Sequence, residues 1–95
     1  MGNAYIIGHI TVKDAEKWSA YRHQVPATLK PWGAELVCRG KLASILAGEH
    51  AHTDTVVIRF PDMKAVNGWY MSAAYQSLIP LRTTAAELVL LAYEG

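Results

Sequence analysis

One nine-residue stretch near the start limits the fold more than any other. Ala4 to Val12, AYIIGHITV, is apolar and rich in β-branched residues, and a helix-like start follows it. It reads as a strand. Its even positions are Ile6, Gly8, Ile10 and Val12; its odd positions are Tyr5, Ile7, His9 and Thr11. Successive side chains of a strand point to opposite faces, so both faces here are mostly apolar. Such a strand needs cover on both sides.

The rest of the chain supplies that cover. Asp14 reads as a helix N-cap, with Glu16 favourable in the first turn. Trp18, Tyr21, Val25, Leu29 and Trp32 follow at helical spacing and form one apolar stripe. Pro26 predicts a kink or break, and Gly33 a stop. Ala34 to Gly40 is a second strand, and LASILAG returns as a short strand or hairpin arm. EHAHTD, Glu49 to Asp54, is a polar loop, and Thr55 to Phe60 is the third main strand. Asp62 caps a helix carrying Met63, Val66, Trp69, Tyr70 and Ala73. Ser72 restarts a second short helix that Pro80 disturbs, and Glu87 to Tyr93 closes the chain as a strand. The order is β-α-β-β-α-β, an α+β ferredoxin-like plait: an antiparallel sheet with both helices on one face. The opposite face then carries Tyr5, Ile7, Val57, Val89 and Leu91. Leaving that surface wet is unfavourable, at roughly 25 cal/mol per Å² of apolar area. A homodimer that pairs two sheets face to face is therefore expected.

The 95 residues, 1–95, make one domain, and one this small is near the limit of what a single core sustains. Nine Lys and Arg against eight Asp and Glu, scattered along the chain, offer no basic patch, so no nucleic-acid partner is expected. No apolar run is long enough to span a bilayer, so no membrane partner is expected either. A lone Cys38 fits a reducing compartment, and with no secretory leader the expectation is a cytoplasmic protein. Cys38 itself reads as a buried, inert thiol.

Several residues invite a chemical reading beside a plain one. His9 stands mid-strand among apolar neighbours: either a hydrogen-bonded interface histidine or a catalytic proton-transfer group. Arg22, at the flank of the first helix stripe, is either a solvated charge or an anchor for a carboxylate. Arg39 and Arg59 share the non-core parity of their strands and read as partners of carboxylates on a second subunit. His50 and His52 have the alternation of a metal pair, but they lie in a loop without an identifiable third ligand, so no metal site is expected. No glycine-rich phosphate loop, nucleophile elbow or paired-cysteine motif is present, and no cofactor is expected.

FPDMKAVNGWYMSAAYQSLIPLR, Phe60 to Arg82, has two readings. It packs the sheet, or it forms one side of a ligand pocket. In the second reading a helix break around Ser72 leaves Trp69, Tyr70, Ser72, Tyr75 and Gln76 facing Trp18 and Arg22. Apolar walls with a few convergent polar groups are what ligand pockets look like.

AYIIGHITVKDAEKWSAYR, VCRG, VVIRFPDMKAVNGWYMSAAYQSLIPLR and the closing YEG together resemble the bacterial family called domain of unknown function 1330, in the dimeric α/β-barrel superfamily. The resemblance implies a ferredoxin-like fold dimerising through its sheets. It implies no fixed reaction, because that superfamily holds cofactor-free monooxygenases, haem degraders, isomerases and stress-related proteins. The chain departs from the family pattern at Lys41, Ala47 and Met71, and in SAAYQ. The functional expectation is a small-molecule-binding homodimer, with an enzyme acting on a small aromatic or carboxylate-bearing metabolite as its catalytic form; the alternatives are a non-catalytic structural or regulatory dimer and metal or haem binding.

Overall fold

A computed structural model describes residues 2–95. Four strands form one antiparallel sheet: β1 (Ala4–Val12), β2 (Glu35–Lys41), β3 (Asp54–Phe60) and β4 (Ala86–Glu94), in the order β2-β3-β1-β4. Helix α1 (Ala15–Leu29) links β1 to β2; α2 (Met63–Met71), α3 (Ala73–Gln76) and α4 (Ile79–Ala85) link β3 to β4. This is the α+β ferredoxin-like arrangement expected from the element order.

Local chemistry places the boundaries. The Asp14 carboxylate accepts from the Lys17 backbone N–H at 3.0 Å, and that of Asp62 from Ala65 at 2.8 Å. The Ser72 hydroxyl accepts from the Tyr75 backbone N–H at 3.2 Å and so starts α3. A 3₁₀ turn, Lys30–Trp32, extends α1, and Gly33 ends it at φ +68° in the left-handed region.

Two prolines act differently from expectation. Helix α1 runs through Pro26 without a break: the Lys30 N–H still bonds the Pro26 carbonyl, and the apolar stripe holds both halves against one core. Pro80 does not disturb a helix; it lies in the first turn of α4, where a missing N–H removes no intrahelical bond. LASILAG forms no strand. It is irregular, with Leu42, Ile45 and Leu46 exposed.

The sheet face under the helices holds the core. Ala4, Ile6, Ile58 and Phe60 meet Tyr21 and Leu29 of α1 and Val66 and Trp69 of α2. Trp69, Tyr75 and Phe60 are the largest fully buried side chains. The other face carries the predicted row: Ile7 lies between Val57 and Leu91, and Tyr5 between Arg59 and Tyr93. Val89 and Tyr93 there are 43% and 50% exposed, so among the described residues no helix covers this apolar face.

Strand β2 corrects two sequence-based expectations. Leu36 pairs with Ile58, but Cys38 pairs with Val57, so Val37 is an extra residue, a bulge. Beyond a bulge the alternation of faces reverses. Cys38 therefore lies on the row of Ile7 and Val57 and is exposed, not buried. Arg39 falls opposite Val56, on the helix side, and does not share a face with Arg59. Arg59 pairs with Glu35 of its own chain, so it does not wait for a partner's carboxylate.

Candidate functional site

Helix α1 does not press closely on the sheet along its whole length. Between them lies a cavity of about 480 Å³. Its floor is made where Gly8 of β1 stands between Val56 and Leu90. A side-chain carbon at Gly8 would come within 3.0 Å of Val56 Cγ1 and 3.3 Å of Leu90 Cδ1. The missing side chain thus helps leave the space, and a glycine inside a strand commonly marks a close approach of this kind.

One wall is aromatic. The Trp18 and Tyr21 rings stack with centroids 5.1 Å apart, and Trp69 lines the cavity as well. Spacing along α1 explains the pair: residues three apart lie on one helix face. Exposed Arg22 of α1, Lys30 of the 3₁₀ turn, and Arg39 and Lys41 of β2 form the solvent edge, with Asp54 as the carboxylate there. Burial and then the charge of Arg22 hold Arg39 below the usual guanidinium value.

Of the residues expected to form a pocket, Trp18, Arg22 and Trp69 line this cavity, while Tyr70, Ser72, Tyr75 and Gln76 do not. The break at Ser72 does not open a space. Ser72 Oγ donates to the Trp69 carbonyl at 2.6 Å, and Gln76 Nε2 donates to the Tyr70 carbonyl at 2.7 Å, so the polar groups freed by the break are used locally. Tyr75 fills the core. Its ring lies 4.2 Å from that of Trp69, and its hydroxyl lies 2.7 Å from the Tyr21 hydroxyl and accepts from Arg82 Nη1 at 3.0 Å. Trp69 Nε1 donates to Thr28 Oγ1, which donates to the Val25 carbonyl. Burial first, then the neighbouring Tyr75, pushes the Tyr21 phenol well above its usual value, so it stays protonated. Burial works to lower Arg82, but its hydrogen bond to Tyr75 and the neighbouring Tyr70 outweigh that and hold it raised.

His9 is far from this arrangement in the sense that matters: it is on the opposite, helix-free face, beside Thr55 and Val89. There the loop before β3 brings His50 against it, ring centroids 4.9 Å apart, with His52 5.8 Å beyond His50. His52 Nδ1 lies 3.0 Å from Thr11 Oγ1. The third histidine near His50 and His52, which the loop sequence did not reveal, is thus His9. Among the described residues, however, no three His, Cys, Asp or Glu side chains are placed to hold one metal ion. Burial, followed by the charges of His50 and His52, lowers the His9 pKa.

Sequence reasoning missed Gly8 and Arg39 as parts of the site. A glycine in the middle of an otherwise β-branched strand was the available signal for the first. Nothing in the composition of β2 signals the bulge that turns the second.

No helix among the described residues is long and apolar enough to cross a membrane. No curated protein matches the sequence. Solved structures share the fold at low identity. Protein RPA0582 of Rhodopseudomonas palustris, of unknown function, superposes with a TM-score of 0.84 at 15% identity, over 99% of this chain and 82% of that one. A dimeric ferredoxin-like protein of unknown function from Jannaschia sp. CCS1 gives 0.79 at 10%, over 99% and 100%. SnoaB, a cofactor-independent oxygenase from Streptomyces nogalater, gives 0.73 at 7%, over 100% and 94%. The family model described as Domain of unknown function (DUF1330) matches residues 3–95, and the chain belongs to that family.

Proposed function

We propose that this chain is a small-molecule-binding homodimer that acts on a small aromatic or carboxylate-bearing metabolite. The observation that carries the reading is the cavity between α1 and the sheet, about 480 Å³, with the Trp18–Tyr21 wall and Arg22 at its edge. That volume is in the range of small-molecule sites, roughly 300–1,000 Å³. Trp18, Arg22 and Trp69 are the residues of the original expectation that serve it. Tyr70, Ser72, Tyr75 and Gln76 support it from behind, by fixing Trp69 and Tyr21.

Self-association rests on the uncovered face of β1, β3 and β4, where Ile7, Val57 and Leu91 lie side by side. A likeness to proteins described as dimeric supports it. His9 belongs to that face and not to the cavity, so the proposal gives it a role at the interface. The likeness to a cofactor-independent oxygenase is one of fold alone.

A thermal-shift series with aromatic and aliphatic acids tests the reading. A ligand that raises the melting temperature of the native chain and loses its effect with Trp18→Ala supports it. If Trp18→Ala, folded and dimeric, responds to every such ligand as the native chain does, the cavity is not the site.

A further inference from the structure

Two guanidinium groups share the edge of the cavity, and among the described residues no carboxylate pairs with either. Arg22 reaches it from α1 and Arg39 from β2. Among the described residues the ion pair found is Arg59 with Glu35, on another part of the sheet. The carboxylate at the same edge, Asp54, accepts from the Thr53 hydroxyl at 2.9 Å. Arg39 is there because of the bulge at Val37. With regular alternation it would stand beside Arg59 on the far face; with the extra residue it stands opposite Val56, in the row that continues through Gly8 to Leu90. A backbone irregularity therefore sets one cation beside another above an apolar chamber. Bringing like charges together is unfavourable unless an anion joins them, and Lys30 and Lys41 at the same edge add to the positive balance.

We infer that the ligand is an amphipathic acid, whose flat apolar body lies against Trp18 and Tyr21 and whose carboxylate bridges Arg22 and Arg39. This rests on the small-molecule reading above and names its ligand class. A carboxylate has two oxygens, each able to accept from a separate guanidinium, and charge-assisted bonds of that kind are roughly twice as strong as neutral ones. The apolar chamber takes the body; the clamp selects the acid. Arg39 is then a specificity-determining residue, and the bulge is what makes it one. The neutral analogue of the same shape keeps the packing and leaves two cations unanswered.

Calorimetric titration with naphthoate and with the matched neutral alcohol, naphthalenemethanol, tests this. The native chain should bind naphthoate about tenfold more tightly than the alcohol, or better. Arg22→Gln and Arg39→Gln should each remove most of that preference, by weakening naphthoate far more than the alcohol. Both arginines are exposed, so neither change should unfold the chain. Equal affinity for acid and alcohol in the native chain would overturn the clamp and leave the cavity reading standing. A preference abolished by Arg22→Gln but untouched by Arg39→Gln would overturn the role of the bulge. If neither compound binds at millimolar concentration, the clamp falls, while the cavity reading is decided by the wider acid series with Trp18→Ala.

Discussion

The hydroxyl of Tyr21 lies 2.7 Å from the hydroxyl of Tyr75, and both residues are buried. Arg82 Nη1 donates to the same Tyr75 oxygen at 3.0 Å. Two phenols and a guanidinium thus tie α1, α3 and α4 together, and this chain of bonds fixes the back of the wall on which Trp18 stacks.

The two phenols are not equivalent. Tyr75→Phe leaves the buried Tyr21 hydroxyl without its partner, while the half-buried Arg82 guanidinium keeps Tyr70 and solvent. Tyr21→Phe strands none fully, because Tyr75 keeps its bond from Arg82. An unsatisfied buried polar group costs about 1–3 kcal/mol, while a net hydrogen bond contributes about 1 kcal/mol. Tyr75→Phe should therefore destabilise more than Tyr21→Phe in urea unfolding. The double variant should lose less than the sum, because the two side chains share one interaction. Equal costs would show that the two phenols are equivalent, and simple additivity that the hydroxyl pair contributes nothing of its own.

That pair was not legible in the sequence, and the reason is distance along the chain. Periodicity placed Tyr21 on the apolar stripe of α1, and the aromatic cluster placed Tyr75 near it. Which hydroxyl meets which depends on tertiary packing across 54 residues. The strands, their order and the apolar outer face were legible because alternation repeats at every second residue, so Ile7, Val57 and Leu91 could be set on one face. The position of Arg39 was not, because one added residue at Val37 reverses the pattern without changing composition. The helix break at Ser72 was legible from its capping hydroxyl. Its consequence was not, since whether a break opens a pocket depends on whether local acceptors such as the Trp69 carbonyl take up the freed groups.

Gly68 sets a second packing test. A side-chain carbon there would run into the Trp32 ring, so α2 and the 3₁₀ turn after α1 touch through the absence of a side chain. Alanine is the better helix former by about 1 kcal/mol. Overpacking costs typically 1–3 kcal/mol. Trp32 is packed against the core and cannot swing away freely, so the second effect should win. Gly68→Ala should lower the melting temperature, and Trp32→Leu in the same chain should recover part of the loss. A Gly68→Ala chain more stable than the native one would mean that Trp32 moves aside easily.

Ile7 tests the outer face. It sits on the central strand between Val57 and Leu91, where a second sheet would cover it. A charge buried without a partner is strongly unfavourable, at several kcal/mol. Ile7→Asp should shift the chain from dimer towards monomer in light scattering at micromolar concentration. Because that face is uncovered within one chain, the monomer should keep its far-ultraviolet circular dichroism. An unchanged dimer would place the interface elsewhere.

His9 gives the same face a pH dependence whose sign can be worked out. Its pKa is lowered, by burial first and then by the charges of His50 and His52, while in the unfolded chain it stays near 6.5. Between the two values the unfolded chain holds a proton that the folded chain does not, so stability rises with pH across that window. Read downward, stability is intact above about 6.5 and is lost as pH falls towards the lowered value, below which the loss is complete. In the strand register His9 is flanked by Thr55 and Val89, which carry no charge to compensate, and the loop adds two more imidazoles rather than a carboxylate. Protonation therefore sets like charges against one another on the face that a partner would cover. The melting temperature should fall from pH 7.5 to pH 5, and the dimer should weaken with it. His9→Gln keeps a polar side chain without the titration, so it should flatten part of the slope; His50→Gln should flatten it too, by removing the neighbour whose charge opposes His9. If both variants follow the native pH profile, the acid sensitivity of this chain comes from some other group.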